Sequence, residues 1–537
     1  MAPRLPTSTI SEENHDAETE TEVKDEKNDI EDEKQKHSDG NDKGQNDDIK
    51  KPEKTTFESL VSQQLGEFGR YQMLQFFLLC LPSIFVAMHV MSWTFVAAPP
   101  QFESVLQANN TNSTDAMDLM EETVEMEVFQ GSAIKRWNIE GDRVWIKATV
   151  QSLYYIGQMV GSLYCGIAAD KIGRKKVFYL ALVIQCTCGL LLAIAPTWWI
   201  FAILKAGTGI SQPGLYGIAV VLGMELMGKR YRSLGAVVAN IFYTFGQLIL
   251  ALLAYFISDY RLLHFAIAAP SLLFLSYWWL IGESSLWLVS KGRYEEADVI
   301  LNRAAKVNKS YIPEKWWNQI EGPPATKKNT SFGITDLVRT PNLRKRSLSC
   351  FFIWPVTTMM YYGLTMKADL GGGNLYVNFA ISAAMEIPAL LIVYLLIDRI
   401  GRRLLVSLSL FIGGVSLLST IAVKEYAPFQ LLEIAVMMTS KAMITVAYTT
   451  MYTFTSELFP TVLRNTAVGC CSTIARIGAI ASSYVALWLV DAFGPLTLVL
   501  PFAFLAAAAA LIALIFLPET MGKHLPESIS EVEGNHI

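Results

Sequence analysis

Four ionisable residues lie deep inside apolar stretches of the sequence: Lys205, Glu386, Lys441 and Arg476. A charge at the centre of a membrane helix costs about 2.5–3.5 kcal/mol or more, so residues of this kind are candidates for function. Arginine holds its charge and offers a planar fork to a carboxylate, whereas glutamate attracts an ammonium group. One acid and one base in a single cavity would therefore match a zwitterion whose charges are separated.

Glu386 and Arg476 are expected at similar depths in a membrane. Glu386 lies about 12 residues, and Arg476 about 10 residues, into its apolar stretch. At about 1.5 Å per residue, both positions fall near the middle of a bilayer. Two interpretations stay open: the two side chains contact a substrate, or they pair with each other and only lock the structure. A carrier could use both, with the pair opening around its ligand.

Lys205 and Lys441 occupy related places, because Lys205 begins KAGTG and Lys441 begins KAMIT, each about 7–11 residues into its stretch. Structural and functional roles are equally open for Lys205. A structural role is slightly favoured for Lys441, which we nevertheless include among the predicted substrate-binding residues.

The elements that must position these residues are membrane helices. The chain has 537 residues, of which 52% are hydrophobic and 17% are charged, too few charges for the surface of a water-soluble protein of this length. Stretches of roughly 18–25 apolar residues can each cross a hydrocarbon core of about 30 Å as a helix. We predict an all-α membrane protein with twelve such spans, at residues 73–98, 147–168, 177–195, 198–223, 235–257, 262–282, 347–368, 374–396, 404–422, 430–454, 466–489 and 495–517.

Polar and aromatic side chains on several of these spans form a second group of candidates. A single tyrosine is more often a packing residue than a ligand contact, but aromatic faces attract quaternary nitrogen, and as a set these residues predict an aromatic cage. They are Gln212 and Tyr216 on span 4, Tyr243 and Gln247 on span 5, Tyr361 and Tyr362 on span 7, and Tyr448 and Tyr452 on span 10.

Charge in the loops predicts the orientation of the spans. Twelve spans place both termini on one side, and the loops DKIGRKK, GKRYR and DRIGRR on that side are rich in Lys and Arg, which indicates the cytoplasm. The loop 99–145 on the other side carries N-glycosylation sequons at Asn109 and Asn112, which supports an extracellular location. No cleavable signal peptide precedes span 1, and the acidic tail 1–60 has the composition of a disordered segment.

The sequence contains an internal repeat. DKIGRK at Asp170 recurs as DRIGRR at Asp398, with an offset of 228 residues, and two further motifs recur in the same order at nearly the same offset. The chain is therefore predicted to consist of two six-helix halves, followed by a short tail. These halves cover residues 73–282 and 347–517, with a linker at 283–346 and the tail at 518–537. Pseudo-symmetric halves suit alternating access around a central site.

The repeated motifs predict a cytoplasmic gate of acids and bases, in which Gly173 and Gly401 allow tight turns between helices. Such charges could latch one end of the molecule and separate when it opens. The alternative is a set of solvated loops whose bases only fix topology. The predicted gate residues are Asp170, Arg174, Glu225, Arg232 and Glu283 in the first half and Asp398, Arg402, Glu457, Arg464 and Glu519 in the second.

The motifs also carry a family resemblance. GIAADKIGRKK together with twelve spans resembles the major facilitator superfamily, and GESSLWLVSKGRYEEA after span 6 and SELFPTVLRNTAVG after span 10 resemble its organic cation, anion and zwitterion transporters. EIPA around Glu386, STIARIG around Arg476 and SQPGLYG in span 4 are most similar to the carnitine and zwitterion branch. The sequence departs from the family in GESSLWL, where the family usually has PESPRWL.

The resemblance implies roles for individual residues. An acid at the position of Glu386 and a charged residue on span 11 line the central cavity in this family, and an arginine on span 11 goes with anionic or zwitterionic substrates. Gln212 matches a glutamine of sodium-coupled carnitine-type relatives, which implies a sodium-linked role. The resemblance also implies a plasma-membrane protein.

We therefore predict a secondary transporter of small organic cations or zwitterions, with carnitine-like compounds as the best class. The first alternative is an organic anion carrier dominated by Arg476 with Lys441. The second is a non-transporting receptor or scaffold. No P-loop, no Cys/His set with zinc spacing and no basic aromatic surface occur in the sequence, so we expect no enzyme, no cofactor, no metal and no nucleic-acid partner.

Overall fold

The computed structural model describes residues 56–98, 132–320, 334–370, 372–426 and 429–534. The acidic tail up to residue 55 and the two sequons at Asn109 and Asn112 lie outside the described residues, so those expectations stay predictions.

Twelve long helical segments, α1 to α12, cross the described part of the molecule, and each coincides with one predicted span. In chain order they are α1 Arg70–Val96, α2 Trp145–Ile172, α3 Arg174–Ile194, α4 Trp198–Gln212 continued by Pro213–Gly217 and Ile218–Glu225, α5 Arg232–Phe256, α6 Tyr260–Leu280, α7 Pro341–Met366, α8 Leu375–Ile400, α9 Arg402–Tyr426, α10 Gln430–Leu458, α11 Arg464–Phe493 and α12 Leu496–Phe516.

Nine of these described helices are long and apolar enough to cross a membrane on length and composition alone. The other three are α2 and α7, which carry many Tyr, Ser, Gln and Thr residues, and α4, which is interrupted. Of these three helices, α4 and α7 carry polar and aromatic candidates that the sequence predicted. The twelve-helix all-α membrane fold predicted from the sequence is confirmed.

Two interruptions bring functional side chains to irregular points of the bundle. In α4, Pro213 cannot donate a backbone hydrogen bond, and residues Pro213–Gly217 form a π-helical turn directly after Gln212. In α8, the first helical segment ends at Ala384 and the second begins at Glu386, so the acid lies in the first turn of a helix. The partial positive charge of a helix N-terminus favours a carboxylate there.

Close helix contacts build each half. In the first half, α2 packs on α4, where a Cβ at Gly157 would lie 2.1 Å from the backbone oxygen of Ala206. Glycine therefore lets these two backbones approach closely, as is common between membrane helices. The two halves pack on each other through α2 against α11 and through α5 against α8.

Residues before α1 and residues between the two halves form a small apolar layer on the side where α1 begins and α12 ends, which we call the terminal side. Helices Phe57–Leu65, Ser285–Ser290 and Tyr294–Asn308 pack around the buried Trp316. The Asn308 side chain accepts a hydrogen bond from the backbone N–H of Tyr71 at 2.8 Å and ties this layer to the start of α1. The first part of the linker is therefore folded onto the first half. The opposite side, where α1 ends and α2 begins, is called the loop side below.

Candidate functional site

The carboxylate of Glu386 is buried at the contact between the two halves, with 4% of the residue exposed. Its Oε2 atom accepts hydrogen bonds from Thr244 Oγ1 at 3.0 Å and Gln247 Nε2 at 2.9 Å, both on α5 of the first half. Its Oε1 atom accepts one from the hydroxyl of Tyr361 on α7 at 2.6 Å. One carboxylate therefore bonds to both halves at once.

Lys441 is the cation that neutralises Glu386. Its Nζ atom lies 3.3 Å from Glu386 Oε1 and 3.4 Å from the centre of the Tyr361 ring, and it donates to Thr365 Oγ1 at 2.5 Å. Only 2% of the Lys441 side chain and 5% of the Glu386 side chain are exposed. A buried ion pair of this kind needs additional hydrogen bonds to offset its desolvation, and both partners have them.

The Arg476 side chain does not pair with Glu386. A pair with Glu386 was one of the two interpretations that the sequence left open, but Glu386 pairs with Lys441, and none of the ion pairs of the described residues includes Arg476. The reason is direction: equal depth places two residues at one level without making their side chains face each other. Arg476 instead lies among the side chains of Tyr154, Tyr362, Tyr448 and Tyr452.

The guanidinium of Arg476 is buried and incompletely bonded. The residue is 6% exposed, and its Nε and Nη1 atoms have no hydrogen-bond partner in the described structure. Tyr362 is within hydrogen-bonding reach of the side chain. An unmade hydrogen bond on a buried charged group costs more than 1–3 kcal/mol.

The predicted aromatic residues do come together. The rings of Tyr361 and Tyr448 are stacked with centroids 5.1 Å apart, and Tyr362 meets Tyr361 edge-on at 5.2 Å. On the first half, Tyr216 and Tyr243 meet at 5.8 Å. These five tyrosines come from α4, α5, α7 and α10; Tyr361 bonds to Glu386, and Tyr362 and Tyr448 lie near Arg476.

The two glutamines of the prediction have separate environments. Gln247 bonds to Glu386, as described, while its Oε1 atom is buried without a partner. Gln212 accepts a hydrogen bond from Gln158 Nε2 at 2.6 Å, between α4 and α2. Gln212 thus belongs to a buried amide pair inside the first half.

Sequence reasoning missed three residues of this centre: Thr244, Tyr154 and Tyr155. Tyr155 packs its ring 4.8 Å from that of Tyr362, and its buried hydroxyl has no partner. In the sequence these residues are ordinary members of apolar spans. The only available signal was the pair of adjacent tyrosines at the middle of a polar-rich span.

Lys205 confirms the relation between the halves suggested by its sequence context. Its Nζ atom donates to the backbone oxygen of His89 at 2.6 Å and to Ser92 Oγ at 2.7 Å on α1, as Lys441 does to α7. Its ring neighbour is Tyr154, at 5.6 Å. Gln158 stands 228 residues before Glu386, the offset of the repeat, so the first half has an amide where the second has an acid.

The repeated motifs of the first half form one cluster on the terminal side. Arg174 Nη2 lies 3.1 Å from Glu225 Oε1 and 3.5 Å from Asp170 Oδ1. Glu283 accepts the backbone N–H of Lys175 at 2.9 Å and so caps the start of α3. Gly173, with φ of 111°, makes the turn.

The second half repeats this cluster with residues of the same types. Arg402 bonds to Asp398 at 2.8 Å and to Glu457 at 3.1 Å. Glu519 accepts the backbone N–H groups of Arg402 and Arg403 at 3.0 and 3.1 Å, at the start of α9, and Gly401 has φ of 91°. Each cluster joins helices of one half, so the contacts described here do not link the two halves.

Two predicted gate arginines lie outside these clusters. Arg232 pairs with Glu58 of the short helix Phe57–Leu65 at 3.1 Å, and Arg464 donates to Thr461 Oγ1 at 3.4 Å. Seven residues separate each arginine from its predicted acid, but the intervening turn between helices points the arginine away from the acid.

Comparison with known proteins agrees with this geometry. Residues 95–531 match the family described as "Sugar (and other) transporter". The organic cation transporter protein of Drosophila melanogaster is 36% identical over 520 residues, which cover 88% of this chain and 94% of that protein. The organic cation/carnitine transporter 2 of Homo sapiens is 34% identical over 76% of this chain and 72% of its own length.

The chain belongs to the sugar (and other) transporter family, in its organic cation transporter group. The fold agrees: the inward-open structure of the xylose transporter XylE from E. coli superposes with a TM-score of 0.60 at 15% identity, over 86% of this chain and 99% of that one. At this identity the likeness extends to the fold alone.

On the loop side, the two halves of the transporter are joined by polar contacts that the sequence did not indicate. Asp491, near the end of α11, lies 3.4 Å from Lys147 of α2 and 2.6 Å from Lys367 just after α7. The hydroxyls of Thr149 and Tyr484 lie 3.4 Å apart between the same two helices, α2 and α11. Phe95 of α1 stacks on Tyr376 of α8 at 5.2 Å.

Proposed function

We propose that this transporter carries small zwitterions with a quaternary ammonium group and a carboxylate, of the carnitine type, across the plasma membrane. Its relatives include proteins named organic cation and organic cation/carnitine transporters. Their names do not distinguish cations from zwitterions for this chain, so the substrate class is argued from the central site.

The observation that carries the proposal is the difference between the two buried cations. Lys441 is committed to Glu386, whereas Arg476 has two free, buried donors and no acidic partner among the described residues. A guanidinium carries five N–H donors in one plane, so Arg476 can keep its contact with Tyr362 and still donate charge-assisted hydrogen bonds to a carboxylate from its free atoms. Arg476 is therefore the residue that takes the substrate carboxylate.

The cationic end of the substrate goes to the tyrosines. The rings of Tyr448, Tyr216 and Tyr243 can meet a quaternary nitrogen, whereas the Tyr361 ring already has Tyr448 stacked on it and Lys441 Nζ 3.4 Å from its centre. Glu386 lies beside Tyr361 and adds negative charge to this end. Binding of the ammonium group near Glu386 competes with Lys441 for this carboxylate, so substrate weakens an ion pair within the second half.

We propose that the terminal side faces the cytoplasm. The Lys- and Arg-rich loops of the repeated motifs lie on this side, which supports a cytoplasmic location for both termini. The contacts between the halves at Glu386 and on the loop side then describe a carrier that is closed to the outside. Transport follows when the halves, each held rigid by its own charge cluster, rock about the central site.

Uptake measurements test the substrate class. Cells that express the transporter are given labelled carnitine, tetraethylammonium or p-aminohippurate, and wild type is compared with Arg476→Gln, Arg476→Lys and the control Arg344→Gln. Arg344 is exposed at the start of α7, far from the centre. Loss of a charged hydrogen bond worth about 1.5–3 kcal/mol raises the KM for carnitine about 10- to 150-fold.

We expect Arg476→Lys to recover only part of this loss, because lysine lacks the fork, and we expect the control to behave as wild type. Surface biotinylation corrects each rate for the amount of protein. Unchanged carnitine uptake by Arg476→Gln, or no uptake of any of the three compounds by wild type, would refute the proposal.

One observation favours organic anions as a second candidate class, since the centre holds two cations, Lys441 and Arg476, and one acid. The substitution Glu386→Gln separates the two classes. It frees Lys441 for a second anionic contact, so anion uptake would persist or rise, whereas uptake of a zwitterion falls because the ammonium group loses its acid.

The sodium-linked role of Gln212 remains a proposal. The buried amide pair of Gln212 and Gln158 supplies side-chain oxygens, and Gln158 Oε1 has no hydrogen-bond partner. Replacing external sodium with lithium should lower carnitine uptake by wild type and leave Gln212→Ala, already low, unaffected. Equal uptake in both salts by wild type would remove sodium from the mechanism.

A further inference from the structure

On the loop side, the carboxylate of Asp491 pairs with two lysines, one at each of its oxygen atoms. Lys367 Nζ lies 2.6 Å from Asp491 Oδ1, and Lys147 Nζ lies 3.4 Å from Asp491 Oδ2. The side chains are 13% exposed for Lys147, 17% for Lys367 and 27% for Asp491. These ion pairs are partly shielded from water, so they are stronger than fully exposed pairs and still within reach of salt.

The two lysines differ in the half to which they belong. Lys367 follows α7 and lies in the same half as Asp491, whereas Lys147 lies in the first turn of α2 in the other half. When the halves part on this side, Asp491 loses Lys147 and keeps Lys367. The carboxylate is never left without a cation, which keeps the free energy of opening small.

The neighbouring contacts place this cluster at a closure between the halves. Deeper in the bundle, two residues after Lys147 and seven residues before Asp491, the hydroxyls of Thr149 and Tyr484 lie 3.4 Å apart, again between α2 and α11. A second contact lies between α1, α5 and α8, where Phe95 stacks on Tyr376 at 5.2 Å and Tyr255 meets the same ring at 5.9 Å. The two helix pairs that join the halves, α2 with α11 and α5 with α8, are therefore both in contact on the loop side.

We propose that Asp491 is a positioning residue of the transport cycle, which closes the loop side through Lys147 and permits its opening through Lys367. The two lysines then have opposite effects on one equilibrium. Without Lys147 the closed state loses its ion pair between the halves. Without Lys367 the open state leaves Asp491 alone, so the closed state is favoured. This inference rests on the proposed orientation and on transport by alternating access, and it does not depend on the substrate.

The experiment compares Lys147→Gln with Lys367→Gln, which remove the same charge from the same carboxylate. Each is combined with Thr149→Cys, and the new thiol is labelled from outside intact cells with a membrane-impermeant methanethiosulfonate reagent, without substrate. The transporter without the added cysteine gives the background of the native thiols. Labelling is fast when the loop side is open to the outside and slow when Tyr484 covers position 149.

We expect Lys147→Gln to raise the labelling rate and Lys367→Gln to lower it, each about two- to fivefold, the range of a partly exposed ion pair of up to about 1 kcal/mol. High salt should shrink both effects. Lys147→Arg keeps the charge and should restore the wild-type rate, which shows that the altered rate of Lys147→Gln does not come from misfolding.

The proposal would be overturned if the labelling rate changed in the same direction in both lysine variants, or if it changed in neither variant. Failure of the proposed substrate class would appear in the uptake measurements and leave these labelling rates unchanged. Labelling of position 149 only from the cytoplasmic face would instead refute the orientation.

Discussion

The burial of Glu386 and Lys441 determines how much stability the protein loses when their ion pair is broken. Changing Glu386 to Gln removes the negative charge and leaves Lys441 as an uncompensated cation with a side chain 2% exposed. Breaking a buried ion pair from one side costs about 3–5 kcal/mol, because the remaining charge is still desolvated. Screening by solvent is small at this burial, so the full range applies.

Removing both charges should cost much less than removing either one. In Glu386→Gln with Lys441→Met, the apolar side chain fills a volume similar to that of lysine and no charge stays buried. The hydrogen bonds from Thr244 and Gln247 to position 386 can persist with the amide oxygen. We therefore expect the double variant to be more stable than each single variant and transport to be lost in all three.

Thermal unfolding in detergent measures these differences. The described chain has free, buried thiols at Cys80, Cys350 and Cys471, so a thiol-reactive dye reports unfolding without an added label. At about 2 cal/mol/K of unfolding entropy per residue, a loss of 3–5 kcal/mol lowers the Tm of a chain of this length by about 3–5 °C. The exposed Glu425→Gln serves as the control.

The double-mutant cycle gives the decisive result. If the ion pair is the reason for the cost, the two losses are strongly non-additive. Additive losses would refute the reasoning and would mean that Glu386 is stabilised by its hydrogen bonds alone.

Three further predictions concern single groups. Gly401→Ala should lower the Tm, because φ of 91° strains alanine and its Cβ would lie 2.6 Å from Glu519 Oε2, whereas Gly469→Ala has open space and should not. Four backbone N–H groups outweigh the desolvation of Glu519 and hold its pKa below its ordinary 4.5. A depressed pKa means that this stabilisation is present above the unfolded pKa and is lost as pH falls through the folded pKa, so the Tm gap between wild type and Glu519→Gln should close below about pH 4.5. Tyr361→Phe removes the 2.6 Å hydrogen bond to Glu386 but keeps the ring, so we expect the KM for carnitine to rise about 3- to 10-fold. An unchanged KM would contradict this prediction.

The sequence predicted the helices and the repeat well, because both depend on local patterns. Apolar length determines which stretches cross a membrane, and all twelve spans fall on long helices. The repeat offset identified Asp398, Arg402, Glu457 and Glu519 as one set, and the second half brings these four together. It did not indicate that Glu519 caps a helix, since capping depends on where two helix ends meet.

The partner of Glu386 could not be predicted from the sequence. Residue counting gives the depth of Glu386, Lys441 and Arg476, but each residue along a helix turns the side chain by about 100°, so the direction depends on how neighbouring helices pack. The ion pair at Asp491 was missed for a related reason. Charges at the ends of spans are usually solvated, and only the closure of the two halves on this side makes Lys147 and Lys367 its partners.

The charge balance of the centre has a consequence for membrane voltage. Glu386 and Lys441 cancel, so Arg476 leaves one positive charge on the second half, and moving one charge through 100 mV changes the energy by about 2.3 kcal/mol. A zwitterion adds no net charge, so the loaded and the returning carrier move the same charge in opposite directions, and the cycle carries no current. A sodium ion that accompanies the substrate would add charge to the loaded movement alone. A current induced by a zwitterionic substrate would therefore show that an ion is transported together with it.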